Sequence, residues 1–159
     1  MIKTPFKTAL ASLMAVGALA SAVPAHAGKT LDAIKQKGQL VCGTNPSLPG
    51  FAAADSQGNY SGLDVDICKA VAATILSDAN KVKWVPLNAQ QRFTALQSGE
   101  IDVLSRNTTW TLTRDASLGM HFTGTTYYDG QAFTVTTRPN IPSATQSKGA
   151  TACVQSGTT

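Results

Sequence analysis

Lys81-Val-Lys-Trp-Val-Pro-Leu-Asn-Ala-Gln-Gln-Arg-Phe-Thr-Ala-Leu-Gln-Ser-Gly-Glu-Ile-Asp-Val-Leu104 is the stretch on which the fold turns. Its first six residues alternate polar and apolar side chains, as a strand with one buried face does, and Pro86 closes them. Ala89, Phe93 and Leu96 then recur at helical spacing, and Gly99 ends that stripe. Ile101-Asp-Val-Leu104 reads as a further strand. Upstream, Gln39-Leu-Val-Cys-Gly43 is a compact apolar strand. A helix follows, with Asp64 expected as its cap and apolar positions Cys68, Val71, Ala72, Ile75 and Leu76 three and four apart. Strand, helix, strand, helix, strand at short spacings specifies a parallel sheet with helices on its faces, so the expected fold class is α/β. Ligands of such sheets bind at the carboxyl ends of the strands, which directs attention to the loops Thr44–Phe51, Asn88–Gln91 and Ser105–Arg114.

Outside this unit the signals are shorter. Leu31–Ile34 is an amphipathic turn ended by Gly38, and Asn45–Gly62, dense in Gly, Pro, Asn and Ser, reads as loop with a turn at Asp55–Asn59. After Arg114 come a loop, the expected strand Gln131–Thr137, and a polar segment, Arg138–Gly149, suited to a crossover or hinge. Thr151–Gln155 reads as a strand entering Ser156-Gly157-Thr158-Thr159, the opening of a strand-to-helix turn, so a piece of a longer protein is expected.

The N-terminus has its own logic. Lys3 and Lys7 precede an apolar run through Ala20, and Ala25-His-Ala27 offers the small residues a signal peptidase needs, with cleavage expected after Ala27. The run is too short and too rich in Ala and Gly for a bilayer span. The expected division is therefore a signal peptide over 1–27, an α/β unit over 28–137, and a crossover with a further strand and turn over 138–159. Of the 13 Lys and Arg residues, two leave with the signal peptide, so 11 face 9 acidic ones. A charge of that size, spread thinly, excludes a phosphate-tracking stripe and with it nucleic acid as a partner. An oxidising compartment permits disulfides: Cys42 and Cys68 are one candidate pair, two buried free thiols the other reading, and Cys153 is left over. No metal or other cofactor is called for, since the cysteine spacings fit no zinc motif and only His121 remains in the mature chain.

That single histidine, in Met120-His-Phe122, reads as structural, and no Gly-x-Ser-x-Gly elbow, P-loop or Gly-x-Gly-x-x-Gly accompanies it. Asp64 and Asp66, in the first turn of a helix, read as capping and dipole residues rather than an acid–base pair. The chemistry concentrates in Ser105-Arg-Asn-Thr-Thr-Trp-Thr-Leu-Thr-Arg114, hydroxyl-rich and closed by an arginine at a strand's carboxyl end. Arginine grips a carboxylate through two parallel hydrogen bonds, which suits a small acid or zwitterion; a solvated Thr-rich loop is the plainer alternative. Ser156–Thr159 adds backbone N–H groups and hydroxyls of the kind that bind anions.

Taken together, the signal peptide, Leu40–Gly43, Gly62-Leu-Asp-Val-Asp-Ile67, Phe93–Val103, Glu100-Ile-Asp-Val-Leu-Ser-Arg-Asn-Thr-Thr-Trp110 and Cys153-Val-Gln-Ser-Gly-Thr-Thr159 resemble the periplasmic amino-acid-binding proteins of ABC transporters (solute-binding family 3), most closely the general L-amino-acid branch. The resemblance implies a non-catalytic two-lobed clamshell in the periplasm, monomeric when full length, that hands an L-amino acid to a permease in the inner membrane. It also implies site roles. Arg114 would bind the ligand α-carboxylate with Thr158 and Thr159, Thr109 would hydrogen-bond the ligand, and the carbonyl of Ala89 would accept from its ammonium. Leu48 stands where many relatives stack an aromatic ring. Two other readings share the fold: a cleft enzyme resembling dehydratases of cyclic amino acids, which would need an acid–base pair among the cleft loops, and the ligand-sensing domain of a membrane receptor.

Overall fold

The computed structural model describes residues 28–135 and 143–159. The signal-peptide reading and Thr136–Thr137 of the expected strand lie outside the described residues. So does the start of the crossover segment, up to residue 142.

Helix α1 (Lys29–Lys37) stops at Gly38, whose N–H bonds the Ile34 carbonyl at 2.9 Å. Strand β1 (Leu40–Thr44) then takes the middle of a three-stranded parallel sheet. On one side it pairs with β5 (Val82–Pro86), from Leu40↔Val82 to Thr44↔Pro86, and on the other with β6 (Val103–Leu104), through Cys42↔Val103 and Gly43↔Leu104. Alternation along β1 builds two cores. Leu40 and Cys42 face Ile34 of α1 and Cys68 and Ala72 of α2 (Leu63–Leu76); Val41 faces Leu87, Ile101 and Ala95 of α3 (Gln91–Gln97). Helices thus cover both faces, as the α/β pattern predicts, and the stripe Cys68, Val71, Ala72, Ile75, Leu76 is the face α2 buries. The predicted disulfide is present: Cys42 and Cys68, both fully buried with Cα atoms 6.4 Å apart, are bonded, and Cys153 is free and exposed.

Four expectations change. The Asn45–Gly62 loop contains a second sheet, in which β2 (Ser47–Leu48), β3 (Ala52–Ala54) and β4 (Tyr60–Ser61) run antiparallel. These strands of two or three residues are too short to show a period. The expected turn does join β3 to β4. The Asn59 side-chain amide donates to Asp55 Oδ2 at 3.0 Å, and Asp55 Oδ1 accepts from the N–H groups of Asn59 and Gln57, both at 2.8 Å; these bonds, the side-chain one foremost, hold its carboxyl below the ordinary range. Second, Asp64 is not the cap of α2. Gly62 is, with no side-chain cap, and Asp64 lies inside the first turn, buried. Third, residues 131–135 join no sheet, and Phe133 and Val135 are exposed. Fourth, Thr151–Gln155 joins none either, and Val154 is exposed. Among the described residues neither segment has a strand beside it, and an extended segment without a partner makes no ladder. No helix among the described residues is long and apolar enough to cross a membrane.

Candidate functional site

The carboxyl ends of β1, β5 and β6 bring the three expected loops to one edge. Leu87 N–H bonds the Thr44 carbonyl at 3.0 Å, Ser105 N–H bonds the Gly43 carbonyl at 3.0 Å, and Asn45 Nδ2 donates to Asn107 Oδ1 at 3.0 Å. Arg114 stands on a π-helical turn, Thr113–Ser117, and is 8% exposed. Its Nη1 donates to the Thr109 carbonyl at 2.8 Å and its Nη2 to the Gly157 carbonyl at 3.4 Å. Thr109 Oγ1 meets Thr159 Oγ1 at 3.3 Å, and Gln131 Nε2 donates to Thr159 O and Oγ1 at 3.1 and 3.0 Å. Ala89 is buried, and a Cβ on Gly157 would come within 2.9 Å of its carbonyl oxygen. Arg114, Thr109, Ala89 and Thr159, widely separated in the chain, therefore share one place.

The side chains of the two other expected members take no part in these hydrogen bonds. The Thr158 hydroxyl donates to the Gln155 carbonyl at 2.8 Å, closing its own turn. Leu48 lies on β2 opposite Ala52. Trp110, read equally as packing or contact, stacks on Phe122 at 5.3 Å and donates through Nε1 to Asp115 at 3.0 Å; Phe51 meets Tyr127 edge-on at 5.0 Å.

Two charged residues to which the sequence reading gave no part in the site are buried at this edge. Arg92, on α3, is 2% exposed and is the largest fully buried side chain described. Its Nη1 donates to the Asn107 carbonyl at 3.0 Å and to Thr108 Oγ1 at 3.2 Å, and its Nη2 to the Gly157 carbonyl at 2.9 Å. The Arg92 and Arg114 guanidiniums both lie over the Phe93 ring, 4.7 and 5.2 Å from its centroid. Its signal was legible: a charge three residues after Ala89 and four before Leu96 sits on an apolar stripe.

Asp64 is the other. Ser105 Oγ donates to its backbone carbonyl at 2.8 Å, and its carboxylate is buried within electrostatic reach of Arg106, with Oδ2 unpartnered. Burial lowers the pKa of Arg106, and the Asp64 charge partly offsets that. Burial, and then the positive charges of Arg106 and Arg114, push Arg92 down to about 10, so it stays protonated at neutral pH. Three buried guanidiniums against one buried carboxylate make this edge cationic, suited to a carboxylate ligand. Among the described residues no three His, Cys, Asp or Glu side chains form a metal cluster.

Burial raises the Asp64 pKa above its ordinary value, against the lowering pull of Arg106. A carboxyl with a higher pKa folded than unfolded binds more protons when folded, so between those two values its contribution favours the fold as pH falls. Asp64→Asn should flatten that limb of the curve of melting temperature against pH just above the ordinary carboxylate range. An unchanged limb would mean that Asp64 does not titrate as its burial implies.

Comparison with known proteins places this architecture. Residues 40–157 match the bacterial extracellular solute-binding proteins, family 3, and the chain belongs to that family. It is 57% identical over 147 residues to the general L-amino acid-binding periplasmic protein AapJ of Rhizobium johnstonii, covering 91% of this chain and 43% of that one. It is 54% identical over 153 residues to the putative amino-acid ABC transporter-binding protein YhdW of Escherichia coli K12, covering 96% and 45%. A solved ABC transporter periplasmic binding protein from Brucella ovis, with glutathione bound, superposes with a TM-score of 0.79 at 56% identity, covering 84% and 42%. The chain thus spans less than half the length of each of these relatives, and its α/β fold is that of part of a periplasmic binding protein.

Proposed function

We propose that the complete protein binds an L-amino acid between two lobes and delivers it, without catalysis, to an ABC transporter permease of the inner membrane. It works as a monomer in the periplasm, exported by the signal peptide of residues 1–27. Residues 28–137 form the first lobe and 138–159 lead into the second. The observation that carries the reading is the convergence of Arg114, Thr109, Ala89 and Thr159 at the carboxyl edge of the parallel sheet. A buried guanidinium beside hydroxyls is the chemistry a zwitterion requires: a fork for the carboxylate, and carbonyl and hydroxyl oxygens for the ammonium. The names of AapJ and YhdW support the same substrate class.

Calorimetry of the full-length protein against a panel of L- and D-amino acids tests it; heats only for the L series are expected, and none for any member would refute it. Arg114→Lys should weaken binding more than tenfold, about 1.4 kcal/mol or more, because an ammonium cannot reproduce the planar fork. Arg106→Lys is the control. Arg106 is buried within electrostatic reach of Asp64, and its Nη2 already donates to Asn107 Oδ1 at 3.1 Å, so folded protein should lose less affinity. Equal affinity for Arg114→Lys and wild type would remove Arg114 from the site.

A further inference from the structure

We propose that Arg92 is a positioning residue for ligand binding: it holds the Ser156–Thr159 turn beside Arg114, so that both sides of the site meet the ligand together. The inference rests on the amino-acid-binding reading above. One guanidinium ties α3 to two other segments at once, reaching Asn107 and Thr108 on the β6 loop and Gly157 on the turn. Burying it is costly, because no carboxylate forms an ion pair with it: among the described residues the one salt bridge is Lys37 to Asp102. Backbone carbonyls, a hydroxyl and the Phe93 ring compensate the charge instead. A leucine or methionine would fill this volume without that cost, so packing alone does not account for an arginine.

The Gly157 carbonyl shows a division of labour. It accepts from Arg92 at 2.9 Å and from Arg114 at 3.4 Å. Because Arg92 makes the shorter bond, Arg114 can release its Nη2 to a ligand carboxylate while the turn stays in place. The turn is pressed home from the other side too: Gly157 has φ +81°, and any Cβ there would meet the Ala89 carbonyl. A ligand seated between Arg114 and the turn then leaves only when that contact opens, which places the effect of Arg92 in the dissociation rate.

The test is stopped-flow binding by full-length protein, with the tightest-binding member of the L-amino-acid panel as probe. Arg92→Met should raise the dissociation rate about tenfold with little change in the association rate, and Arg92→Lys, which keeps one donor to Gly157, should recover part of it. A purely structural role would lower the melting temperature of the unliganded protein and the number of active molecules, but not the dissociation rate of those that bind. Gly157→Ala covers the case in which Arg92→Met does not fold: it leaves the bonds to Asn107 and Thr108 intact, lifts the turn off Ala89, and should speed dissociation similarly. A dissociation rate within twofold of wild type in whichever variants fold would overturn the proposal. Absence of binding by the wild-type protein would instead overturn the amino-acid reading on which it rests.

Discussion

Reduction of the Cys42–Cys68 bond should lower the unfolding free energy by roughly 3 kcal/mol, the chain-entropy value for a loop of this length. The bond spans 26 residues and ties the central strand β1 to α2. The loop it closes contains the whole second sheet, β2 to β4, whose short strands would otherwise add considerable freedom to the unfolded chain. Both sulfurs lie in the core cluster with Ile34, Leu40 and Ala72, so reductant should act through opening of that core. Urea titrations with and without reductant give the difference. Thiol titration of denatured protein adds a count: Cys153 alone should react before reduction and all three cysteines after it. Three reactive thiols before reduction would show that the bond does not form.

Gly62→Ala should cost at least as much, of the order of 3 kcal/mol or more, through two effects that add. Gly62 has φ +123° and ψ 175°, a region closed to side-chain-bearing residues, and a Cβ there would run into the Phe51 carbonyl. That carbonyl cannot step aside, because it accepts the Asp64 N–H at 2.9 Å, while Leu63 N–H bonds Gly50 at 3.0 Å. These bonds set the entry of α2 and hence the place of Asp64 opposite Arg106. Gly43→Ala is the informative comparison. There the obstructing atoms are the terminal methyls Ile101 Cδ1 at 2.6 Å and Leu87 Cδ1 at 2.8 Å, which can turn, for a cost of about 1–3 kcal/mol. Equal urea midpoints for the two variants would mean that the backbone at Gly62 is freer than its contacts imply.

The elements legible in the sequence are those whose side chains repeat over two turns or five strand residues. The α2 stripe and Lys81–Pro86 are such cases, and their order sufficed for the parallel sheet. Elements defined by pairing alone were not legible: β2 to β4 are made of Ala, Ser, Leu and Tyr in pieces too short for a period, while Gln131–Val135 was read as a strand and pairs with nothing described. At the site, the Thr-rich run closed by Arg114 at the end of β6 drew attention by residue type, while the roles of Arg114, Thr109 and Thr159 came from the family resemblance. Asp64 was misread because acids in a helix's first turn ordinarily serve the helix, and here a glycine stands at the cap while the acid serves the interior. Arg92 was missed because buried arginine is rare, so an apolar stripe is read past a single charge.

The position of β1 in the middle of its sheet also sets a timetable. Neither neighbour is close in sequence: the first partner is Val82 and the second is Val103. While a ribosome is still adding residues, β1 has nothing to pair with until β5 has been made, and its other edge stays open until β6 follows. Only the short β2–β4 sheet has partners nearby. Closing such long loops before any contact repays them slows folding. The parallel sheet thus cannot be completed until Leu104 has been synthesised.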